Sequence, residues 1–278
     1  MTAPQRVDCY AVVGNPVGHS LSPRIHHAFA EETGQAIQYT AIELPVDGFF
    51  DGITELREQG YRGVNVTVPF KREAWEICDH RSQRADFAGA VNTLVFAEDG
   101  SIYGDNTDGV GLIRDLVHNL QIPLQQRKVL ILGAGGAVRG VLEPLLAESP
   151  QCVTIANRTL QKAEDLARDF TSVGKIEAVA YTQIKRDGYH VMINATAAGL
   201  SNQVPPVSAA VLDPAGVCYD MMYNLESATA FVEWSRAQGV KHAYDGLGML
   251  VEQAAEAFKL WRDMRPQTGP VLSMLRAE

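Results

Sequence analysis

The chain has 278 residues, 46% of them hydrophobic and 21% charged, which at roughly 150 residues per domain allows two globular cores without staples or metals. Disorder, a collagen-like rod and a small disulfide scaffold are excluded by these proportions. The net charge of −9, with no Lys/Arg-rich run to offset it, argues against nucleic acid as a partner, so an anionic ligand must be met by backbone amides or a few placed cations.

Apolar β-branched runs alternate with helical patterns along almost the whole sequence. Strands are predicted over 9–13, 38–42, 63–68 and 90–97, the last closing a hairpin through Asp99-Gly100. Helices fit between them over 22–33, 47–59 and 70–79. A helix over 110–120 and a loop over 121–127 lead to a second series, with strands over 128–132, 152–156, 176–180, 190–193 and 217–219. Its helices are predicted over 136–148, 160–170, 228–238 and 247–262. This alternation predicts an α/β fold of two units joined near residues 109–111, each a parallel sheet covered by helices. The last helix can cap either unit.

Cys9, Cys78, Cys152 and Cys218 form no C-x-x-C pair, which suits a reducing cytoplasm rather than a zinc or redox site. Arg6 and Asp8 stand where a secretory signal needs an apolar run. The nearly uncharged stretch 189–212 is broken by Asn194, Asn202, Gln203, Pro205 and Pro206, so no membrane span is expected. The histidines form neither an i,i+4 pair nor a Cys/His cluster, and no metal is expected.

Chemistry gathers at strand ends. The run 129–132 enters Gly133-Ala134-Gly135-Gly136-Ala137 and then a helical pattern, the strand–turn–helix context of a dinucleotide site. Gly133 suits the turn, Gly135 admits a pyrophosphate, and the helix N-terminus attracts its charge. Val138 replaces the small residue of the sixth fingerprint position, so helix–strand packing must accept its extra volume. After the next strand come Asn157, Arg158 and Thr159, with Lys162 one turn on. No acid stands there for a ribose 2′-hydroxyl, while Arg158 offers a donor fork for a 2′-phosphate, which favours NADP over NAD. The bland alternative is an Asn/Thr helix cap.

In the first series, Ser22 before Pro23 reads as N-cap and first helical residue, while Ser20 has no such structural account. Two hydroxyls beside a helix start suit a small carboxylate. Lys71 follows a buried strand, and Asn92 and Asp108 lie in comparable settings. A lysine held by a carboxylate can act as general acid/base where a hydroxyl becomes a carbonyl. Spacing alone does not bring these groups together.

Residues 14–23, 65–71, 89–93, 104–109, 133–137, 157–159, 194–196 and 245–250, taken in order, resemble the motif set of the shikimate dehydrogenase family over about residues 8–262. The resemblance implies reversible, NADP-dependent reduction of 3-dehydroshikimate to shikimate, in aromatic amino-acid and chorismate biosynthesis. It implies Lys71 and Asp108 as the catalytic pair, Lys71 nearest the reacting C3 oxygen. By the same resemblance Ser20 and Ser22 hold the substrate carboxylate, Thr67, Asn92, Asp108 and Gln253 surround the ring hydroxyls, and Tyr223 lies near the substrate. Gly133 to Ala137, Asn157, Arg158, Thr159, Lys162, Thr196, Met221 and Gly246 match the cofactor side. The implied architecture is an N-terminal α/β substrate domain over 1–109, a Rossmann-type NADP-binding domain over 110–245, and C-terminal helices over 246–278 returning to the first domain. A cytoplasmic monomer or homodimer with a small-molecule substrate is expected. His27 and the loop at Leu225 to Ala228 depart from the pattern.

Two rivals stay open at this point. A quinate/shikimate dehydrogenase using NAD or NADP would favour an acid after the second Rossmann strand. A non-catalytic sensor of the pathway metabolite would favour loss of Lys71 or Asp108. An enzyme sharing only the nucleotide domain would lack the motifs of the first series.

Overall fold

The computed structural model describes residues 7–196 and 203–277, leaving Arg6 and Asn202 outside the described residues. The chain forms two compact units, one of Met1–Gly111 with Val251–Met274, the other of Leu112–Leu250 with Leu275–Glu278.

The first unit is built on a six-stranded sheet. Its elements run β1 (Asp8–Gly14), α1 (Ser22–Thr33), β2 (Ile37–Glu43), α2 (Phe49–Glu58), β3 (Tyr61–Val66), α3 (Lys71–Ile77), β4 (His80–Arg81), α4 (Gln83–Ala88), β5 (Thr93–Phe96) and β6 (Ile102–Asp105). The strand order is β2-β1-β3-β5-β6-β4. β1 pairs in parallel with β2 and β3, as strand–helix alternation predicts, but the sheet is not parallel throughout: β5 runs antiparallel to β3, and to β6 in the hairpin expected at Asp99-Gly100. For that hairpin the cause is local. Gly100 at φ 87° turns the chain back at once, and so short a connection can only join antiparallel strands.

Two boundaries shift for equally local reasons. Residues 67–70 close a turn, Phe70 N–H bonding Thr67 C=O at 3.1 Å, so Lys71 opens a helix directly beyond β3. Residues 83–88 form a helix that periodicity does not show, capped by Ser82, whose hydroxyl accepts the Ala85 N–H at 3.2 Å. Gly89 ends that helix, which leaves residues 90–92 as loop rather than strand. The core joins Val13, Phe49, Ile53, Val64, Phe70 and Leu94, all essentially fully buried.

The second unit begins within α5 (Asp108–Arg114), which continues as a π-helical turn over Asp115–Asn119. It holds β7 (Lys128–Leu132), α6 (Gly136–Ala147), β8 (Cys152–Asn157), α7 (Leu160–Asp169), β9 (Ile176–Ala180), β10 (Tyr189–Asn194), β11 (Leu212–Asp220), α8 (Ala230–Ala237) and β12 (His242–Tyr244). All pairings are parallel, in the order β12-β11-β10-β7-β8-β9. This is a doubly wound sheet whose strand order reverses between β7 and β10, the place where such folds hold their ligands. Leu130, Met192, Cys218 and Phe231 fill its core. Val138 is fully buried, so the core does accept its volume.

The chain closes with α9 (Leu247–Arg262) and α10 (Gly269–Arg276). From Val251 onward α9 belongs to the first unit, where Trp261 stacks on Tyr10 at 4.6 Å and donates its indole N–H to the Leu94 carbonyl at 3.0 Å.

Candidate active site

In the first unit, Lys71 and Asp108 meet. The lysine Nζ lies 2.5 Å from Asp108 Oδ2, with the two side chains 31% and 18% exposed. The pair is therefore shielded enough to be held yet open to a ligand. Asn92 fixes the carboxylate from the other side, its Nδ2 donating to Asp108 Oδ1 at 2.8 Å. The same nitrogen donates to Thr107 Oγ1 at 2.9 Å and Gln253 Oε1 at 3.3 Å. The amide cannot be turned over, because its oxygen accepts the Thr107 backbone N–H at 2.9 Å. Helix starts, strand ends and α9 thus place Lys71, Asn92, Asp108 and Gln253 in one hydrogen-bonded group. Thr67 sits on the turn between β3 and α3, its backbone N–H bonded to Val13 C=O at 2.9 Å.

The serine pair needs a correction. Leu21, not Ser22, is the N-cap of α1, with αR backbone angles and no side-chain cap bond. Ser20 Oγ instead accepts the Ser22 N–H at 3.2 Å and donates to Ser22 Oγ at 3.1 Å. Ser20 therefore serves the helix start, and the Ser22 hydroxyl is not consumed by capping.

In the second unit the glycine turn follows β7. Gly133 has φ 110°, a left-handed value, and its N–H bonds Ala156 C=O at 2.8 Å. Gly135 caps the N-terminus of α6, and a Cβ at either Gly135 or Gly136 would meet nothing within 4 Å. Open space thus lies in front of unpaired helix N–H groups, the arrangement that receives a pyrophosphate. Ala134 and Ala137 line the same turn.

Beyond β8, the Asn157 side chain donates to the Thr159 carbonyl at 2.9 Å, closing the turn. Thr159 stands at the N-cap of α7 but makes no side-chain cap bond, so capping does not account for it. Arg158 and Lys162 are exposed, and among the described residues neither has a carboxylate partner. Two exposed cations beyond the end of β8, with no carboxylate to neutralise them, fit the 2′-phosphate of NADP.

The far side of the same sheet edge is organised by Asp220. This buried carboxylate accepts from Asn194 Nδ2 at 3.0 Å, from the Met222 N–H at 3.2 Å and from Thr229 Oγ1 at 2.6 Å. Burial raises its pKa above the usual carboxylate value, against the pull of these bonds. The oriented Asn194 then accepts the Thr196 hydroxyl at 2.8 Å, and its carbonyl takes the Met221 N–H at 2.9 Å. Gly246 packs so closely on Met221 that a Cβ would lie 2.4 Å from its carbonyl oxygen. Thr196, Met221 and Gly246 are thereby gathered at the carboxyl ends of β10, β11 and β12. Tyr223 follows β11, half-buried, its phenol pKa raised by burial. The atypical loop after it is closed by Asn224, which accepts the Glu226 N–H at 2.9 Å.

Three family models match the chain: the shikimate dehydrogenase substrate binding domain over residues 12–94, shikimate / quinate 5-dehydrogenase over 115–202, and the shikimate 5′-dehydrogenase C-terminal domain over 246–275. A shikimate dehydrogenase (NADP(+)) of Thioalkalivibrio sulfidiphilus is 53% identical over 270 residues, covering 97% of this chain and 98% of that one. The chain belongs to the shikimate dehydrogenase family. Among solved structures, an Ael1 enzyme from Pseudomonas putida matches with a TM-score of 0.91 at 44% identity, covering 96% of this chain and 98% of that one. The Thermus thermophilus shikimate 5-dehydrogenase in complex with NADP(H) and shikimate matches with a TM-score of 0.85 at 33% identity, covering 97% and 99%.

For a shikimate dehydrogenase family member, reasoning from sequence missed the residues behind the site. Tyr39, Asn65, Thr93 and Thr107 are buried and hydrogen-bonded beneath the Lys71–Asp108 group. Arg84 makes a two-pronged bond to buried Asp105, at 2.7 Å for each prong, and reaches Glu256 on α9 at 3.3 Å. Asp220 was equally silent. The usable signal was polar residues placed inside otherwise apolar strand runs, as at Asn65 and Asn194, since such groups are retained only when bonded.

Proposed function

We propose that this protein is an NADP-dependent shikimate dehydrogenase that interconverts 3-dehydroshikimate and shikimate, with Lys71 and Asp108 as its catalytic pair. The observation that carries this reading is the Lys71–Asp108 ion pair at 2.5 Å, anchored by Asn92 and standing beside Gln253. The first unit is the substrate domain and the second the NADP-binding domain.

NADPH, when bound, supplies the hydride that reduces the C3 carbonyl. The protein supplies the rest. The Lys71 ammonium donates a proton to the C3 oxygen as negative charge develops there, and takes it back in the oxidative direction. Asp108 keeps the lysine aimed, and Asn92 keeps Asp108 from turning. Ser20 and Ser22 hold the substrate carboxylate, Thr67, Asn92 and Gln253 the ring hydroxyls, and Tyr223 is a further substrate contact. The backbone from Gly133 to Ala137 takes the pyrophosphate, Asn157, Arg158, Thr159 and Lys162 the adenosine end, and Thr196, Met221 and Gly246 the nicotinamide end.

No helix among the described residues is long and apolar enough to cross a membrane. The four cysteines are all unpaired, and we place the enzyme in the cytoplasm as a monomer or homodimer. The test is a spectrophotometric assay of shikimate with NADP against quinate with NAD. The reading expects turnover chiefly in the first mixture. Turnover chiefly in the second would overturn it in favour of a quinate enzyme, and turnover in neither in favour of a binding protein.

A further inference from the structure

Three elements that carry candidate site residues meet at one guanidinium in the first unit. Arg84 lies in the first turn of α4, the helix whose end leads through Gly89 into Asn92. Its Nε and one terminal nitrogen donate to the two oxygens of Asp105 at 2.7 Å each. Asp105 closes β6, three residues before Asp108, and is 2% exposed. The same terminal nitrogen reaches Glu256 Oε1 at 3.3 Å, on α9 one turn beyond Gln253. From the other side, Arg265 donates to Glu256 Oε2 at 2.6 Å and to Glu252 Oε2 at 2.5 Å. The Thr268 hydroxyl donates to Glu252 Oε1 at 2.6 Å. The two glutamates flank Gln253 in sequence, so this ion network grips α9 at the turn that carries it.

We propose that Arg84 is a positioning residue of the reaction, its guanidinium joining Asp105, which leads into Asp108, to Glu256 on α9, and so fixing where Gln253 stands against the Asn92–Asp108 group. A buried carboxylate needs a counter-ion, and the two prongs on Asp105 supply that by themselves. Glu256 already has Arg265. The bond from Arg84 to Glu256 is therefore not needed for neutralisation; it ties the strand end before Asp108 to the helix that carries Gln253. Gln253 Oε1 takes Asn92 Nδ2 and Thr107 Oγ1 at 3.3 Å each, close to the limit for such bonds, so a slide of α9 by a few tenths of an ångström breaks them. Around Gln253 the helix packs through Val251, Ala254 and Ala255, all fully buried. Apolar packing is non-directional: it sets how closely α9 lies, and leaves its slide along the axis to polar contacts. Asn92 and Asp108 are held by their own bonds, so Gln253 is the member of the group that Arg84 governs. The inference rests on the substrate-site reading given above.

Glu256→Ala cuts the α9 arm and leaves the fork on Asp105 intact, while Arg84→Lys keeps the positive charge and loses the fork geometry. Each variant raises KM for shikimate roughly 3- to 10-fold, the scale of one lost internal hydrogen bond, with KM for NADP unchanged. In a Gln253→Ala background neither raises KM for shikimate further, because the group they position is gone. If Arg84→Lys does not fold, Glu256→Ala decides alone. A folded variant that leaves KM for shikimate in place, whatever its melting temperature, makes the network structural only, and the inference fails. Equal rises in KM for shikimate and NADP overturn it as general loosening. Rises that persist undiminished in the Gln253→Ala background overturn it too, since they do not pass through Gln253. If Gln253→Ala alone leaves KM for shikimate unchanged, the substrate-site reading itself falls at that residue, and the inference with it.

Discussion

At the candidate site of the first unit, Lys71, Asp108, Asn92 and Gln253 already bond to one another, whereas in the second unit Arg158 and Lys162 stand exposed without a carboxylate partner. The first arrangement is preorganised: dipoles and charges are set before a ligand arrives, so little reorganisation remains for the reaction. The second waits for charge that only a ligand brings. Groups of the first kind should therefore govern turnover, and groups of the second kind affinity and cofactor choice.

The largest effect tests the preorganised side. Lys71→Ala should cut turnover about 10²–10⁴-fold while KM for shikimate changes far less. Steady-state kinetics would contradict this by showing a raised KM at unchanged turnover, which is the signature of a binding residue. Next comes the open side. Arg158→Ala should cost about 1.5–3 kcal/mol of NADP binding, roughly one to two decades in KM for NADP, with KM for NAD nearly unchanged. The effect should shrink as salt is added, because the site is exposed. Equal losses for both cofactors would remove the 2′-phosphate assignment. A somewhat smaller change is expected when Ser20 and Ser22 are both replaced by Ala. Shikimate binding should weaken by roughly 1–3 kcal/mol, and the acid should lose its advantage over its methyl ester. Undiminished preference for the acid would place the carboxylate elsewhere.

The smallest effects are in stability, and there the two units should differ in sign. Burial pushes His26, in the first unit, down to about 3 from its usual 6.5, Asn65 and His27 acting as minor influences. The folded state then binds fewer protons than the unfolded one across that range. Stability is present above pH 6.5 and is lost as pH falls, by about 1.4 kcal/mol for each pH unit. Burial raises Asp220, in the second unit, above its usual 3.8. Its contribution is fully present below that value and is lost as pH rises through the raised one. Denaturant unfolding across pH should show a flatter acid limb for His26→Leu, and for Asp220→Asn a smaller loss on raising pH. Curves unchanged from wild type would refute both assignments.

The two units also differ in how much of them could be read from sequence. Strand β7, the glycine turn and α6 carry strong local signals, and α9 is legible to its end residues because its apolar face has a sustained helical period. In the first unit, β4 has two residues and α4 six, too few for any period to show, whereas the β5–β6 hairpin was legible from Asp99-Gly100. The site divides in the same way. Arg158 and Lys162 stand one helical turn apart, where spacing is informative. Lys71 and Asp108 are 37 positions apart, and only the fold brings them together. Tyr39 was invisible because an aromatic residue in an apolar strand reads as core, which it also is.

The central claim is that chemistry is set in one unit and cofactor choice in the other. The double variant Lys71→Ala/Arg158→Ala tests it most directly. The account predicts additivity: the turnover of Lys71→Ala alone, combined with the KM for NADP of Arg158→Ala alone. A double variant whose turnover falls well below that of Lys71→Ala, or whose KM for NADP departs from that of Arg158→Ala, would contradict the division.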